Sequence, residues 1–492
     1  MIRAFRAWWA NEDPATRLGV AGIVAVGAVA RLSALTQPMR YDESVTYLRF
    51  IARSWTTAAT NYQSPNNHLL YTVLAKLTAL LGGGAPWALR LPAFVAGAAL
   101  VPLTYAVGRA LFTREAALVG AALAAGATPL ILYSANARGF AFVAAAYLGL
   151  LLIAARIRAR GQTFGRWAWF ALIAAAGAAT IPVMLFPLGA AALWLALTLC
   201  LERGRRALPV LGGLAAALAA AGALTYAAYL PIVRANGLGA LVANRFVAPS
   251  PWPRFFEQFL PTIPRTLAAW TGPYPWELGV ALVALGAAGV AQSARASREG
   301  VPVLVAAYAW VSALLLATHR APVAHTWLWM LPVVLLSVGL AVEGLIALPR
   351  ARRMRPYLPA FAVAAAVASV SWGFASDALG ASHDTGVFAG ARQIAQALAT
   401  QAEPGDRVLA STPSDAPLQY YMLRAGADTA LLSTPDSLTT RQIIVLNAAY
   451  DQTLAWAVAA GLVDTARFGP IAPAMHTADA DVYVAERKGS EP

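Results

Sequence analysis

The stretch LGVAGIVAVGAVARLSALT, Leu18 to Thr36, leads within four residues into Arg40-Tyr41-Asp42-Glu43-Ser44, and the reading of that junction decides the fold. At 1.5 Å of rise per residue, the apolar run is long enough to cross roughly 30 Å of hydrocarbon as a helix. The charged stretch then emerges on the far side of a membrane. Two adjacent carboxylates beside an arginine lose hydration at a bilayer surface, so their presence asks for a reason. Two roles fit. Asp42 caps a short amphipathic helix by accepting an N–H of its first turn, or it serves as a catalytic base, and the rest of the chain must decide between them.

Composition extends the same reading. Of 492 residues, 59% are hydrophobic and 12% charged, about half the charged share of a soluble globular protein. Repeated apolar runs of about 20 residues make the chain polytopic and helical rather than a barrel. The run from Leu18 holds Arg31 and is followed by no small-x-small cleavage site, so it is expected to stay as the first span. The single cysteine, Cys200, provides neither a disulfide framework nor a thiolate metal site. A formal charge of +14 does not point to nucleic acid, because the arginines cluster at span ends, where the positive-inside bias puts them.

Those clusters set a topology. Arg3, Arg6 and Arg17 precede the first span, which places the N-terminus in the cytoplasm and Asp42 outside. Arg109 with Arg114, Arg156 to Arg166, Arg203 to Arg206, Arg295 with Arg298, and Arg350 to Arg355 mark inner loops. An odd number of crossings then separates Asp42 from Arg109, yet two apolar segments lie between, 67–83 and 88–108. The shorter, 67–83, carries His68 and Lys76 and ends in three glycines, so it is read as a helix in the outer interface. The other spans are expected at 88–108, 116–133, 139–156, 167–181, 183–201, 207–230, 277–293, 301–318, 323–347 and 357–375. With the first they make about eleven. Segment 231–276, rich in proline and aromatics, is not expected to form one regular element.

After Ser376 the long apolar runs stop. Arg407–Ala410, Ile443–Leu446 and Asp481–Ala485 read as strands, and 387–401, 415–425 and 451–461 as helices. The expected fold is therefore a polytopic α-helical membrane domain over 1–375, with an outer loop 37–87 carrying interfacial helices, followed by a small α/β extracytoplasmic domain over 376–492.

The expected outer face is rich in cations against the usual bias: Arg40, Arg49, Arg53, Lys76, Arg138, Arg234, Arg245, Arg254 and Arg265. Such an excess calls for an anionic partner, and a lipid phosphate or diphosphate matches paired arginine N–H donors. His68, Thr72 and Lys76 share one helical stripe, with His68 and Lys76 separated by ~12 Å. That stripe either tracks a lipid phosphate, or Lys76 snorkels and His68 caps. Ser134-Ala135-Asn136-Ala137-Arg138-Gly139 is a polar break between two strong spans and puts an arginine at the outer rim. His319, Arg320 and His325 lie at another outer span end.

These pieces resemble the GT-C glycosyltransferases that use polyprenyl-phosphate sugars, in particular the family-39 group of protein O-mannosyltransferases and bacterial lipid A aminoarabinose transferases. The matching residues are Tyr41-Asp42-Glu43, Asn66 to Tyr71, Trp87 to Pro92, and Tyr133 to Phe140. The match is good over 15–200, looser to 375, and absent beyond. Asn67-His68-Leu69 lacks the prolines of the group, and Asn136 stands where many relatives have an acid, so a two-carboxylate metal site is left undefined. The resemblance implies inverting transfer of a sugar from a polyprenyl-phosphate-linked donor to an acceptor hydroxyl on a glycan, lipid or protein, at the outer face of a bacterial cytoplasmic membrane. It makes Asp42 the general base, with Glu43 orienting it or binding sugar. Arg138, His68, Lys76 and Arg40 would meet the donor phosphate, and Asn67, Tyr71, Asn136, His319, Arg320 and His325 the rest of the substrate. The polyprenyl-phosphate sugar is the co-substrate; neither a cofactor nor a metal is defined by these residues. The alternative is a transporter or flippase of a phosphate-bearing lipid, which would place polar residues near mid-span and show matched halves. The one-sided polar cluster favours transfer.

Overall fold

The computed structural model describes residues 9–10, 12–62, 64, 66–241, 248–272, 274–296 and 299–489. Arg3, Arg6, Arg245 and Arg298, used above in the charge pattern, lie outside the described residues. Among the described residues seven helices are long and apolar enough to cross a membrane, eight if one bent pair is a single span. They are Pro14–Thr36, Pro86–Leu111, Phe140–Arg160, Pro182–Asn236, Trp276–Arg295, Ala324–Ile346 and Arg352–Ala375. Pro182–Asn236 contains two helices, Leu185–Arg203 and Leu208–Asn236, separated by a turn at Gly204–Ala207. The expected spans at 167–181 and 301–318 appear as the shorter helices Phe164–Thr180 and Val303–Thr318.

One expected span is bent. Segment 116–133 is not a single rod but two helices, Arg114–Gly126 and Thr128–Ser134, bent by 59°. Ala127 takes an extended conformation between them, and Pro129 in the first turn of the second helix has no N–H with which to continue the ladder.

The chain forms two compact units. The first comprises 1–35, 59–78 and 89–379, and the second 36–58, 79–88 and 380–492. The acidic stretch after the first span thus belongs to the same unit as the C-terminal region.

Within the helical unit, packing relies on large buried rings and small residues. Trp194, Trp329 and Tyr147 are fully buried. A Cβ at Gly339 would run into the Ala116 carbonyl, which shows how closely Leu331–Ile346 passes Arg114–Gly126. Such close approach holds helices together where lipid removes the hydrophobic drive. The unit carries ion pairs at helix ends: Arg109 Nε to Glu12 at 2.7 Å, Arg114 to Asp13 at 2.6 Å, Arg355 Nε to Glu115 at 2.9 Å, and Arg158 to Glu202 at 2.6 Å.

The second unit is built on a four-stranded sheet of order β1-β2-β4-β3, with β1 Asp406–Ala410, β2 Arg441–Asn447, β3 Phe468–His476 and β4 Ala480–Arg487. β1 and β2 are parallel, and β4 runs antiparallel to β2 and to β3. The three strands expected from sequence are β1, β2 and β4. β3 was not expected, because Pro470 and Pro473 break its pattern; as an edge strand with irregular register it tolerates both. The expected helices appear as Ala391–Gln401, Asp415–Ala425 and Leu454–Ala459.

Candidate active site

The candidate residues fall in two groups, one in each compact unit. In the second unit, the short helix Tyr41–Thr46 carries the acidic pair. Glu43, fully buried, accepts the Arg40 backbone N–H at 3.1 Å. The capping role considered for Asp42 therefore falls to Glu43, at the third helical position. Asp42 is half-buried and held through its backbone: its N–H donates to the Thr385 carbonyl at 3.2 Å, and the neighbouring Tyr41 N–H donates to Gly386 at 2.8 Å. Arg40 was expected to meet the donor phosphate, but its Nη1 donates to the carbonyls of Ser382 and Asp384 at 2.7 and 2.9 Å. That guanidinium fastens the loop to the segment around 384.

In the helical unit, the polar break Ser134–Gly139 and the helix start at Phe140 build an aromatic and cationic cluster. Phe140 lies edge-on to His68 at 5.4 Å, to His325 at 4.7 Å and to Tyr133 at 5.3 Å between ring centroids. The Arg138 guanidinium sits over the same Phe140 ring at 4.9 Å and is 6% exposed, a cation–π arrangement strengthened by burial. Asn136 is fully buried in this turn, its carbonyl accepting the Arg138 N–H at 2.7 Å. His68 Nδ1 accepts the Gly139 N–H at 2.8 Å, so in the neutral ring the proton is assigned to Nε2, which is buried and makes no hydrogen bond within the chain. Burial, then the Arg138 guanidinium and the neighbouring His325, hold the His68 pKa well below its ordinary value, and the ring is neutral at pH 7. Gly139 is required here: a Cβ would strike Thr180 and come 3.2 Å from His68 Nδ1.

The structure joins His68, Asn136, Arg138 and His325, and gives other expected contacts internal work. The Asn67 side chain bridges Asn61 O at 2.7 Å and Thr72 Oγ1 at 2.9 Å, and the Tyr71 hydroxyl donates to Leu89 O at 2.7 Å. Lys76 is half-buried on the helix Leu69–Gly82. His319 closes Val303–Thr318 in a left-handed conformation with its ring 3.9 Å from that of Trp252, an aromatic group other than the His325 cluster; Arg320 follows it, half-buried. Among the described residues no three His, Cys, Asp or Glu side chains come together as metal ligands.

Arg31 and Arg90 were not singled out by sequence. In an unbroken helix Thr128 would donate to the Ala124 carbonyl and residue 129 to Ala125. The break removes both donors, and Arg31, fully buried in the first span, replaces them: Nη2 reaches Ala124 O and Nη1 reaches Ala125 O, both at 3.1 Å. Its Nε donates to Ser134 Oγ at 3.1 Å, so one guanidinium ties both halves of the bent pair to the turn bearing Arg138. Arg90 Nη1 closes the end of the same first span at Leu35 O, 2.8 Å away.

An apolar multi-pass helical bundle with a bent span, a charged first loop and a small sheet-bearing C-terminal unit define the GT-C fold, as the motif resemblance implied. Solved structures that share it include ArnT from Cupriavidus metallidurans bound to undecaprenyl phosphate, with 14% identity and a TM-score of 0.59 over 94% of this chain and 97% of that one. The apo state of the same protein superposes with a TM-score of 0.61 at 13% identity, over 94% and 97% of the two chains. The archaeal oligosaccharyltransferase AglB from Archaeoglobus fulgidus, in complex with an inhibitory peptide and a dolichol-phosphate, does so with 0.53 at 13% identity, over 96% of this chain and 75% of its own. At these identities the likeness establishes the fold. No family model and no curated protein matches the sequence.

Proposed function

We propose that this chain is a membrane glycosyltransferase that moves a sugar from a polyprenyl-phosphate-linked donor to an acceptor hydroxyl, inverting the anomeric centre, at the outer face of a cytoplasmic membrane. In this reading the N-terminus is cytoplasmic and the sheet-bearing unit lies outside. The observation that carries the proposal is the meeting of buried Arg138 with a neutral His68 whose Nε2–H makes no hydrogen bond within the chain. A fixed cation and a directed N–H donor in an aromatic, water-poor setting suit a phosphate monoester. Two proteins of the same fold, ArnT and AglB, have been solved with undecaprenyl phosphate and dolichol-phosphate.

The Asp42 carboxylate takes the acceptor hydroxyl proton as that oxygen attacks the anomeric carbon opposite the phosphate. The bond from carbon to phosphate oxygen breaks, and its electron pair leaves on the polyprenyl phosphate. The growing charge is met by the Arg138 guanidinium and the His68 N–H. No proton need be given to that leaving group, since a phosphate carries the charge itself.

The test is transfer from undecaprenyl-phosphate-linked sugars in membranes holding Asp42→Asn or Arg138→Gln. Each variant is expected to lose about a hundredfold or more in turnover. Full activity of Asp42→Asn removes the mechanism, and lipid translocation without sugar transfer by the unaltered protein selects the transport reading instead.

A further inference from the structure

The segment that grips Asp42 is itself held from behind by the sheet. Two successive residues at positive φ, Thr385 at 67° and Gly386 at 76°, turn the strap 382–387 so that consecutive carbonyls accept from consecutive amides, Asp42 and Tyr41. A left-handed conformation is unfavourable for a β-branched residue such as Thr385 and persists only where surroundings fix it. A Cβ at Gly386 would meet Tyr41 Cβ at 2.5 Å, so loop and strap touch backbone to backbone. On the other side Tyr450 bridges the strap's two ends: its hydroxyl accepts the Val387 N–H at 3.0 Å and donates to the His383 carbonyl at 3.1 Å. Its ring also meets the His383 ring edge-on at 5.2 Å.

Tyr450 is placed by the sheet. Asn447, the last residue of β2, accepts the Ala449 N–H at 3.0 Å and so starts the turn Ala448–Tyr450. The same fully buried Asn447 donates from Nδ2 to the Val387 carbonyl at 3.0 Å. Asp479 continues the anchoring, accepting from Ala389 at 2.5 Å and from Gly390 at 2.8 Å. The strap is thus fixed at its far end by β2 and the turn before β4, and holds Arg40, Tyr41 and Asp42 with its near face.

We propose that Tyr450 is a positioning residue for sugar transfer: by closing the strap 382–387 it fixes the backbone of Arg40-Tyr41-Asp42 and thereby aims the Asp42 carboxylate. This rests on the reading of Asp42 as the base. It gives the C-terminal unit a defined part in the reaction, holding the proton acceptor in place. Tyr450 touches no substrate in this scheme; its hydroxyl acts two links away, through Val387 and His383 to the carbonyls of Thr385 and Gly386.

The experiment compares the full-length protein with Tyr450→Phe and Asp42→Asn, all in lipid nanodiscs. Deuterium exchange is followed at the amides of Tyr41 and Asp42, and turnover is measured with undecaprenyl-phosphate-linked sugars. Tyr450→Phe removes one hydroxyl and keeps the ring. It is expected to speed exchange at both amides and to lower kcat by roughly ten- to a hundredfold, with the donor KM and the bound undecaprenyl phosphate per protein unchanged. A loss of folded protein would lower the bound lipid as well. Asp479→Ala, at the far end of the strap, is expected to act in the same direction and more weakly, and it keeps the test decisive should Tyr450→Phe unfold. Unaltered exchange and kcat in both strap variants, with Asp42→Asn inactive, overturn this inference and leave the reading of the base standing. An active Asp42→Asn overturns both.

Discussion

His68 and Glu299 show how burial acts on single groups with opposite signs. The folded state holds the His68 pKa well below the ordinary value, so below about pH 6.5 the unfolded chain binds a proton that the folded chain refuses. The stability that His68 contributes is therefore full above that pH and falls as pH drops toward 5. Glu299 is 2% exposed, and burial pushes its carboxyl up to about 8 against only partial relief from the Val303 N–H and Arg158. Between pH 4.5 and 8 the folded protein keeps a proton there that the unfolded chain has released, so its contribution is full at low pH and is lost as pH rises through about 8. Melting of detergent-solubilised protein between pH 5 and 9 should separate them: His68→Gln flattens the acid side of the stability profile, and Glu299→Gln flattens the alkaline side and raises the Tm at pH 9. Profiles identical to the parent's would show that neither group is buried as described. Residue roles were legible only in part. The pair Asp42-Glu43 stood out by charge, but which carboxylate caps depended on a spacing, Glu three after Arg40, whose usual first member is Ser or Thr. The structural part played by Arg40 had no local sign, because the carbonyls it meets, at 382 and 384, lie more than three hundred residues away in sequence.

At the scale of the element, the bent pair Arg114–Gly126 and Thr128–Ser134 is the feature that hydropathy hides. An apolar window across 116–133 reads as one span because composition says nothing of a missing N–H, although Pro129 was a visible signal and Arg31, in the last turn of the first span, its visible complement. The same blindness concealed β3, where prolines argued against a strand that is in fact an edge. If Arg31 supplies the donors that the break removes, Arg31→Met leaves the carbonyls of Ala124 and Ala125 buried and unsatisfied, at a cost of about 3 kcal/mol. Pro129→Ala restores the N–H that an unbroken helix would donate to the Ala125 carbonyl. The double variant Arg31→Met with Pro129→Ala is expected to recover about 1 kcal/mol of that loss, read as a partial return of Tm. Additive destabilisation by the two changes would mean that Arg31 and Pro129 are not coupled through this carbonyl.

Over the whole chain, composition disclosed a polytopic membrane protein and the basic clusters proposed its sidedness, but the allotment of the first loop to the C-terminal unit had no local signature. The number of crossings can be argued from ion pairs within the helical unit, because paired residues lie on one side of the membrane and an even number of crossings must separate them. Glu12 with Arg109 at 2.7 Å is consistent with Pro14–Thr36 and Pro86–Leu111 crossing and Leu69–Gly82 not, which is the count expected from the sequence. Arg158 with Glu202 at 2.6 Å encloses Phe164–Thr180 and Leu185–Arg203, so if the longer of these crosses, the shorter is expected to cross with it. Arg355 with Glu115 at 2.9 Å encloses the bent pair and all helices up to Leu331–Ile346; with the bent pair counted as one crossing, the set is even if Val303–Thr318 also crosses, though its length of roughly 24 Å falls short of the hydrocarbon thickness. Small residues and local thinning of the bilayer accommodate such a helix. Adding Leu358–Ala375 brings the expectation to about eleven crossings, with the two chain ends on opposite faces. Labelling of single cysteines introduced at 85, 112 and 162 in a Cys200→Ser background tests this in intact cells with a membrane-impermeant reagent. Position 85 should label, and 112 and 162 should remain protected. Labelling at 162 alone would break the pairing of Arg158 with Glu202 and reduce the count, whereas labelling at 112 would remove the sidedness on which the assignment of Asp42 to the outer face depends.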